Sequence, residues 1–310
     1  MIHRDGVPEK GLDSARVLTG RFHYGREIME YFRDYTPDLT LYIPASGMTG
    51  FGLLRTLLLG RSSRSPVVAI AMQYRQMGWL HRIFSLFGEP RTILSPVSVM
   101  REQLGSIGME TGFIMPGIDG DLFRPVSRER KLELRRKYSL PEDKLLVLHV
   151  GHIKESRNLQ VFMRYREWGA GVLPLIKGGE VEKSWRERLR QSGMIVIDQY
   201  TDDIHELYQL SDIYLFPVSS STGALEFPLS VIEAAACGLP VLTTRFGALP
   251  DMILEDSDYR YFDNISEIPP AIESMRSIHA GPTAEKVREF TWEKVFDRYL
   301  GPVLTGIEPG

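Results

Sequence analysis

Short apolar runs and longer helix-like segments alternate along this chain, and that alternation restricts the possible folds more than any other feature. Strand-length runs stand at residues 39–43, 67–72, 92–94 and 112–115, and the spacing predicts helices over 50–59, 78–87 and 97–107. After a stretch of different character the pattern resumes. Residues 145–150, 173–176, 194–197, 213–216 and 241–243 read as strands, with helices over 185–191, 204–210 and 229–236. Parallel strands need long crossovers, usually helical, so this repetition predicts two α/β halves on mostly parallel sheets. The stretch between them opens at Pro116-Gly117, carries a charged helix over 128–138 and closes at Pro141-Glu142-Asp143. Its turn signals make it an expected interdomain linker. Ligands of open α/β sheets sit beyond the carboxyl ends of the strands, so chemistry is expected there and in the cleft between the halves.

With 310 residues, 43% of them hydrophobic and 25% charged, the chain can bury one large core or two ordinary ones, which excludes disorder. Cys237 is the single cysteine, and no Cys/His cluster has zinc-ligand spacing, so a reducing, cytoplasmic setting is expected. The first residues lack an apolar signal core, and no apolar run approaches the ~20 residues of a membrane span. The net charge of −3 conceals an asymmetry: residues 1–140 hold 20 Lys and Arg against 14 Asp and Glu, the remainder 17 against 26. Two readings fit. The charges solubilise, or the basic half meets an anionic acceptor or the inner face of a membrane as a peripheral contact. Residues 75–87 suit either an amphipathic helix packed on the sheet or one lying on lipid, with His81 as a packed or interfacial residue. Ser46-Gly47-Met48-Thr49-Gly50 is equally a plain βα turn or part of an acceptor pocket. Nothing points to nucleic acid.

The most informative stretch runs from Glu226-Phe227-Pro228-Leu229-Ser230 through Glu233 to Cys237-Gly238-Leu239-Pro240-Val241. It reads as loop, helix, cap and strand. Pro228 suits a helix entry, Ser230 is expected to cap the first turn, and Gly238 fits a left-handed C-terminal position. Free N–H groups at such a start attract an anion. Glu233, expected in the first turn or so, either accepts sugar hydroxyls or only serves the helix dipole.

This stretch resembles the donor-site signature of the retaining glycosyltransferase family 4, within the group 1 glycosyltransferases of GT-B type. The likeness extends to Met115-Pro116-Gly117-Ile118-Asp119 with Phe123-Arg124-Pro125, to residues 145–151, and to Phe290-Thr291-Trp292-Glu293-Lys294-Val295. It implies two Rossmann-like α/β domains facing a cleft: an acceptor-side domain over 1–116, a linker over 117–143, a donor-binding domain over 144–280, and a helix over 281–310 returning to the first. Residues before 92 resemble the family poorly. A strand with a glycine-rich loop and an active-site histidine are expected there, yet Met72-Gln73 stand at the histidine's place and the N-terminal domain reads as shortened.

Transferred position by position, Glu233 matches the second glutamate of the family's pair and is implied to hold the donor ribose. The first glutamate's place falls on Leu225, with Glu226 where glycine is usual, so Glu226 either takes over the sugar contact or the contact is lost. Leu229 and Ser230 would offer backbone N–H groups to the diphosphate. Gly151-His152-Ile153-Lys154-Glu155-Ser156-Arg157 resembles the phosphate-binding turn, with His152 at its arginine place, Arg157 at its lysine place and Lys154 as a further cation. A guanidinium suits a departing diphosphate without a metal. Lys177 and Gly178 would face the phosphates, and Tyr200 with Thr201 the base. The resemblance thus implies a metal-independent, retaining, hexosyltransferase-like enzyme with Arg157 and Glu226 in catalytic roles. It implies no cofactor beyond the nucleotide-sugar donor, and a glycan, lipid-linked or small-molecule acceptor. The alternatives are a degenerate GT-B chain acting as a regulatory partner, which the absent N-terminal loop, His152 and Leu225 would suit, and an epimerase or phosphorylase of the same architecture.

Overall fold

The computed structural model describes residues 2–3, 15–16, 26–44, 48–73, 92–220, 224–278 and 282–306. The chain divides into two compact units, Met1–Met115 with Asp297–Gly310, and Pro116–Phe296.

In the first unit, β1 (Ile2–His3) and β2 (Ala15–Arg16) form a short parallel pair. After α1 (Arg26–Asp34) a parallel sheet is laid down in chain order: β3 (Thr40–Tyr42), β4 (Val67–Ile70), β5 (Thr92–Leu94) and β6 (Thr111–Gly112). The crossovers include α2 (Gly50–Ser63) and α3 (Ser98–Gly105). Thr49 caps α2, its Oγ1 accepting from Gly52 N at 3.1 Å, the local reason the helix begins there. Met48, Leu53, Ala69, Ile93, Met100 and Leu104 close the core. The fourth strand is shorter than its apolar run predicts. Phe113 leaves the ladder to pack edge-on against Tyr299 at 5.1 Å and beneath the Arg101 guanidinium at 5.1 Å. The helix expected over 78–87, with His81, lies outside the described residues.

The second unit begins with α4 (Arg128–Lys137), capped by Ser127. Its stretch of chain, expected as a linker, is fastened into the unit. Arg135 is buried, donating Nε to Leu210 O at 2.9 Å, Nη1 to Lys144 O at 3.0 Å and Nη2 to Asp212 Oδ2 at 2.6 Å.

Six parallel strands follow: β7 (Leu145–Val150), β8 (Val172–Lys177), β9 (Ile195–Ile197), β10 (Ile213–Phe216), β11 (Val241–Thr243) and β12 (Tyr259–Tyr261). The helices α5 (Lys183–Gln191), α6 (Ile204–Gln209) and α7 (Leu229–Ala236) cross between them, and α8 (Ile268–Met275) follows the last. The spatial order is β12-β11-β10-β7-β8-β9. Strand order therefore reverses between β7 and β10, and at such a switch point two successive loops part to leave a crevice beyond the carboxyl ends. The central strands are buried on both faces, as helix-covered parallel sheets require; Leu148, Leu175, Leu215 and Leu242 are fully enclosed.

Candidate functional site

The β7–β10 switch point gathers most of the residues singled out from sequence. The loop after β7 turns at Gly151 and is stitched to the loop after β8: Ile153 N donates to Glu180 O and Glu182 N to Ile153 O, both at 2.8 Å. Asn158, at φ 57°, ends the turn and donates Nδ2 to Pro217 O at 3.0 Å, joining it to the loop after β10. This side-chain bridge fixes the mouth of the crevice.

Arg157 stands half-buried within this frame. Burial lowers the pKa of its guanidinium, which stays cationic, and its Nε finds no hydrogen-bond partner among the described residues. Beside it Tyr214, enclosed on β10, reaches Val150 O at 3.3 Å; burial holds its hydroxyl protonated far above the ordinary phenol range. The expected Ser230 cap is absent, and α7 has no side-chain cap at all. The N–H groups of Leu229 and Ser230 find no acceptor among the described residues, so the helix start points unsatisfied donors into the crevice. At the far end Gly238, at φ 77°, closes α7 as its place requires.

Glu233 is the fifth residue of α7, which starts at Leu229 as expected, and so stands just past the first turn. A dipole role alone would suit the first turn better. Its Oε2 accepts from the hydroxyl of Tyr208 at 2.6 Å. Burial raises the carboxyl's pKa, and the Tyr208 bond partly offsets this. Tyr208 is itself enclosed, with the rings of Phe123 and Tyr214 each 5.8 Å away. Glu226 is half-buried with no donor to its carboxyl among the described residues, and burial raises that carboxyl's pKa. Its backbone is pinned: Ala248 N donates to Glu226 O at 2.9 Å across Gly247, which lies at φ 56° and whose hypothetical Cβ would come within 2.0 Å of that oxygen.

Three expectations change. Lys177 is buried and donates to Gly178 O at 2.9 Å and Gln199 O at 2.8 Å, so its ammonium serves backbone carbonyls and does not reach for a phosphate. Gly178 is required by packing: a Cβ there would lie 2.6 Å from Ile153 Cδ1. His152 accepts Glu180 N at Nδ1, 3.0 Å away, which demands a neutral ring. Burial, then Arg157 and Lys154, lower its pKa in the same direction, so it is no pH-dependent substitute for an arginine. Lys154 is partly exposed, 4.0 Å from Glu180. Tyr200 is 88% exposed, and Thr201 accepts Asp203 N at 3.1 Å. Tyr208, Tyr214 and the bridging role of Asn158, the last residue of the turn, escaped sequence reasoning, since their partners lie 25 to 64 positions away.

The fold is that of the GT-B glycosyltransferases. Anabaena HepE, crystallised with UDP, superposes with a TM-score of 0.70 over 91% of this chain and 81% of its own, at 13% identity. Sucrose-phosphate synthase from Thermosynechococcus elongatus gives 0.66 over 94% and 82%, at 16% identity. Residues 145–274, which hold the whole crevice, match the family model for glycosyl transferases group 1. Among curated proteins, the sulfoquinovosyl transferase of Arabidopsis thaliana is 28% identical over 167 residues, 52% of this chain and 32% of that protein. The D-inositol 3-phosphate glycosyltransferase of Mycolicibacterium smegmatis is 27% identical over 210 residues, 60% of this chain and 45% of that protein. These matches therefore span less than half the length of either relative. No helix among the described residues is long and apolar enough to cross a membrane.

Proposed function

We propose that this chain is a glycosyltransferase of group 1 type, family 4 in its finer class, which takes a sugar from a nucleoside-diphosphate sugar held by the second unit and passes it to an acceptor hydroxyl. One observation carries the reading: an uncapped helix start, the Arg157 guanidinium and the Tyr208-aimed Glu233 carboxylate converge on the switch point of a segment that matches the group 1 model. The diphosphate lies against the Leu229 and Ser230 amides and Arg157, the ribose against Glu233, and the base toward Tyr200 and Thr201. UDP and UDP-glucose occupy crystals of Anabaena HepE, which suits this donor class.

Transfer proceeds with retention. Charge grows on the departing diphosphate as the glycosidic bond breaks, and fixed donors that need no rearrangement are the efficient way to stabilise it. Arg157 and the helix amides supply those donors, so the reading calls for no metal. The departing diphosphate itself takes the acceptor's proton, which leaves a protein base unnecessary. Glu226, with no donor to its carboxyl among the described residues and a raised pKa, takes the donor-sugar contact. The acceptor is a glycan, a lipid-linked sugar or a small molecule, reached in the cytoplasm or at its membrane face.

Titration calorimetry with UDP, GDP and ADP and their glucose conjugates tests the donor site, with Glu233→Ala as the variant. Selective binding weakened about tenfold or more in Glu233→Ala supports it, since a lost hydrogen bond to a charged group is worth about 1.5–3 kcal/mol. Absence of binding to all six compounds refutes it.

A further inference from the structure

Two buried polar atoms at the end of β7 lack a hydrogen-bond partner among the described residues: Nε2 of His149 and Nε of Arg157. They are complementary in kind. Nδ1 of His149 lies 3.1 Å from Leu215 O, which only accepts, so Nδ1 carries the proton and Nε2 presents a lone pair. A guanidinium only donates. The two groups flank one glycine: a Cβ on residue 151 would meet Arg157 Nη1 at 2.9 Å, its Cζ at 3.3 Å and His149 Nε2 at 3.3 Å.

Nδ1 ties the ring to β10, and the surroundings give Nε2 no other task. It is fully enclosed, with the rings of Phe162 and Phe216 at 5.5 and 6.4 Å. Burial holds its pKa down to about 3, so the ring is neutral under working conditions. A buried polar group without a partner is costly, and an apolar aromatic would fill this strand position without that cost.

We propose that His149 is a positioning residue: the two groups face each other across Gly151 without a hydrogen bond in this structure, and a small turn of the Arg157 side chain lets the Nε2 lone pair hold its guanidinium and aim it at the donor diphosphate. The proposal rests on the donor-site reading above. A neutral acceptor suits the task better than the alternatives. A carboxylate here would cancel the charge that the diphosphate requires, and a hydrocarbon would leave a flexible side chain unaimed, with its rotamer entropy to be lost on binding.

Two measurements test it. The first compares UDP and uridine binding by wild type, His149→Phe and His149→Gln, the last placing an amide group near the position of Nε2. The expected result is UDP binding weakened about tenfold by Phe and recovered to within about threefold of wild type by Gln, with uridine unaffected by either. Equal UDP affinity in wild type and His149→Phe, or no recovery with Gln, overturns the proposal. The second measurement leaves His149 in place and needs no nucleotide. Imidazole nitrogen resonances are compared by NMR between wild type and Arg157→Met, with Nε2 of His149 expected to shift. An unmoved Nε2 resonance overturns the proposal even if the Phe variant fails to fold. A wild type that binds no UDP counts against a uridine-nucleotide donor, and the resonance test then decides the positioning role alone.

Discussion

Replacing Tyr208 with Phe removes one oxygen and keeps the ring, so it isolates the bond that aims Glu233. The hydroxyl is enclosed and donates to Oε2 at 2.6 Å, while the ring contacts to Phe123 and Tyr214 survive the change. A hydrogen bond to a charged group contributes about 1.5–3 kcal/mol and one between neutral groups about 1 kcal/mol. Glu233 is only partly buried, so water will replace some of the loss, and about 1.5–2 kcal/mol at pH 7 is the expected cost. The sign of its pH dependence follows from linkage. Burial raises the folded pKa of Glu233 and the tyrosine bond pulls it back, so the variant's carboxyl is raised further than the wild type's. A raised acid destabilises the folded state as pH climbs above its unfolded value, about 4.3 for Glu. The penalty in Tyr208→Phe should therefore be near 1 kcal/mol at pH 4 and grow by about 0.5–1 kcal/mol toward pH 7. Urea unfolding at the two pH values measures it. An equal penalty at both would refute an ionised Glu233 as the partner, and a penalty below about 0.3 kcal/mol would refute the bond itself.

Two further outcomes probe the frame around the crevice. Gly178→Ala should lower stability by about 1–3 kcal/mol through overpacking against Ile153, with Ile153→Val recovering part of it in the double variant; thermal unfolding of the three proteins checks this. Arg135→Met should cost about 1.5–3 kcal/mol by leaving the Leu210, Glu142 and Lys144 carbonyls without their donor while Asp212 keeps Lys131 and the Leu146 N–H, measured as a lowered urea midpoint; a loss under about 0.5 kcal/mol would show that the 116–143 stretch is not fastened as described.

Much of this architecture was legible in the chain. Residues 145–150, 213–216, 229–236 and 241–243 coincide with β7, β10, α7 and β11, because buried parallel strands are continuous apolar runs bounded by turns. Strand β12 was not foreseen: Tyr-Arg-Tyr at an edge has neither the apolar content nor the length that pattern reading relies on. The site was legible only in part. Arg157 and Glu233 were implied by the resemblance, matched position by position, and both occur at the switch point. What spacing could not supply was commitment, since Lys177 looks like a phosphate ligand until Gln199 O, 22 positions on, claims its ammonium. Ser230 looks like a cap, yet α7 begins one residue ahead of it at Leu229, with Pro228 in the cap position.

The segment between Pro217 and Glu226 is anchored at both ends by groups outside it: Asn158 grips Pro217 O, and Ala248 grips Glu226 O. A span clamped this way is modular. Residues can be inserted, deleted or exchanged between the clamps while Glu226 and the start of α7 keep their places. Loop closure adds only about 0.6 kcal/mol for each doubling of length. On the proposed donor-site reading, a search for altered sugar selectivity should therefore begin by grafting loops of different length between residues 219 and 225, leaving Asn158, the buried Val218, Gly247 and the helix that follows untouched.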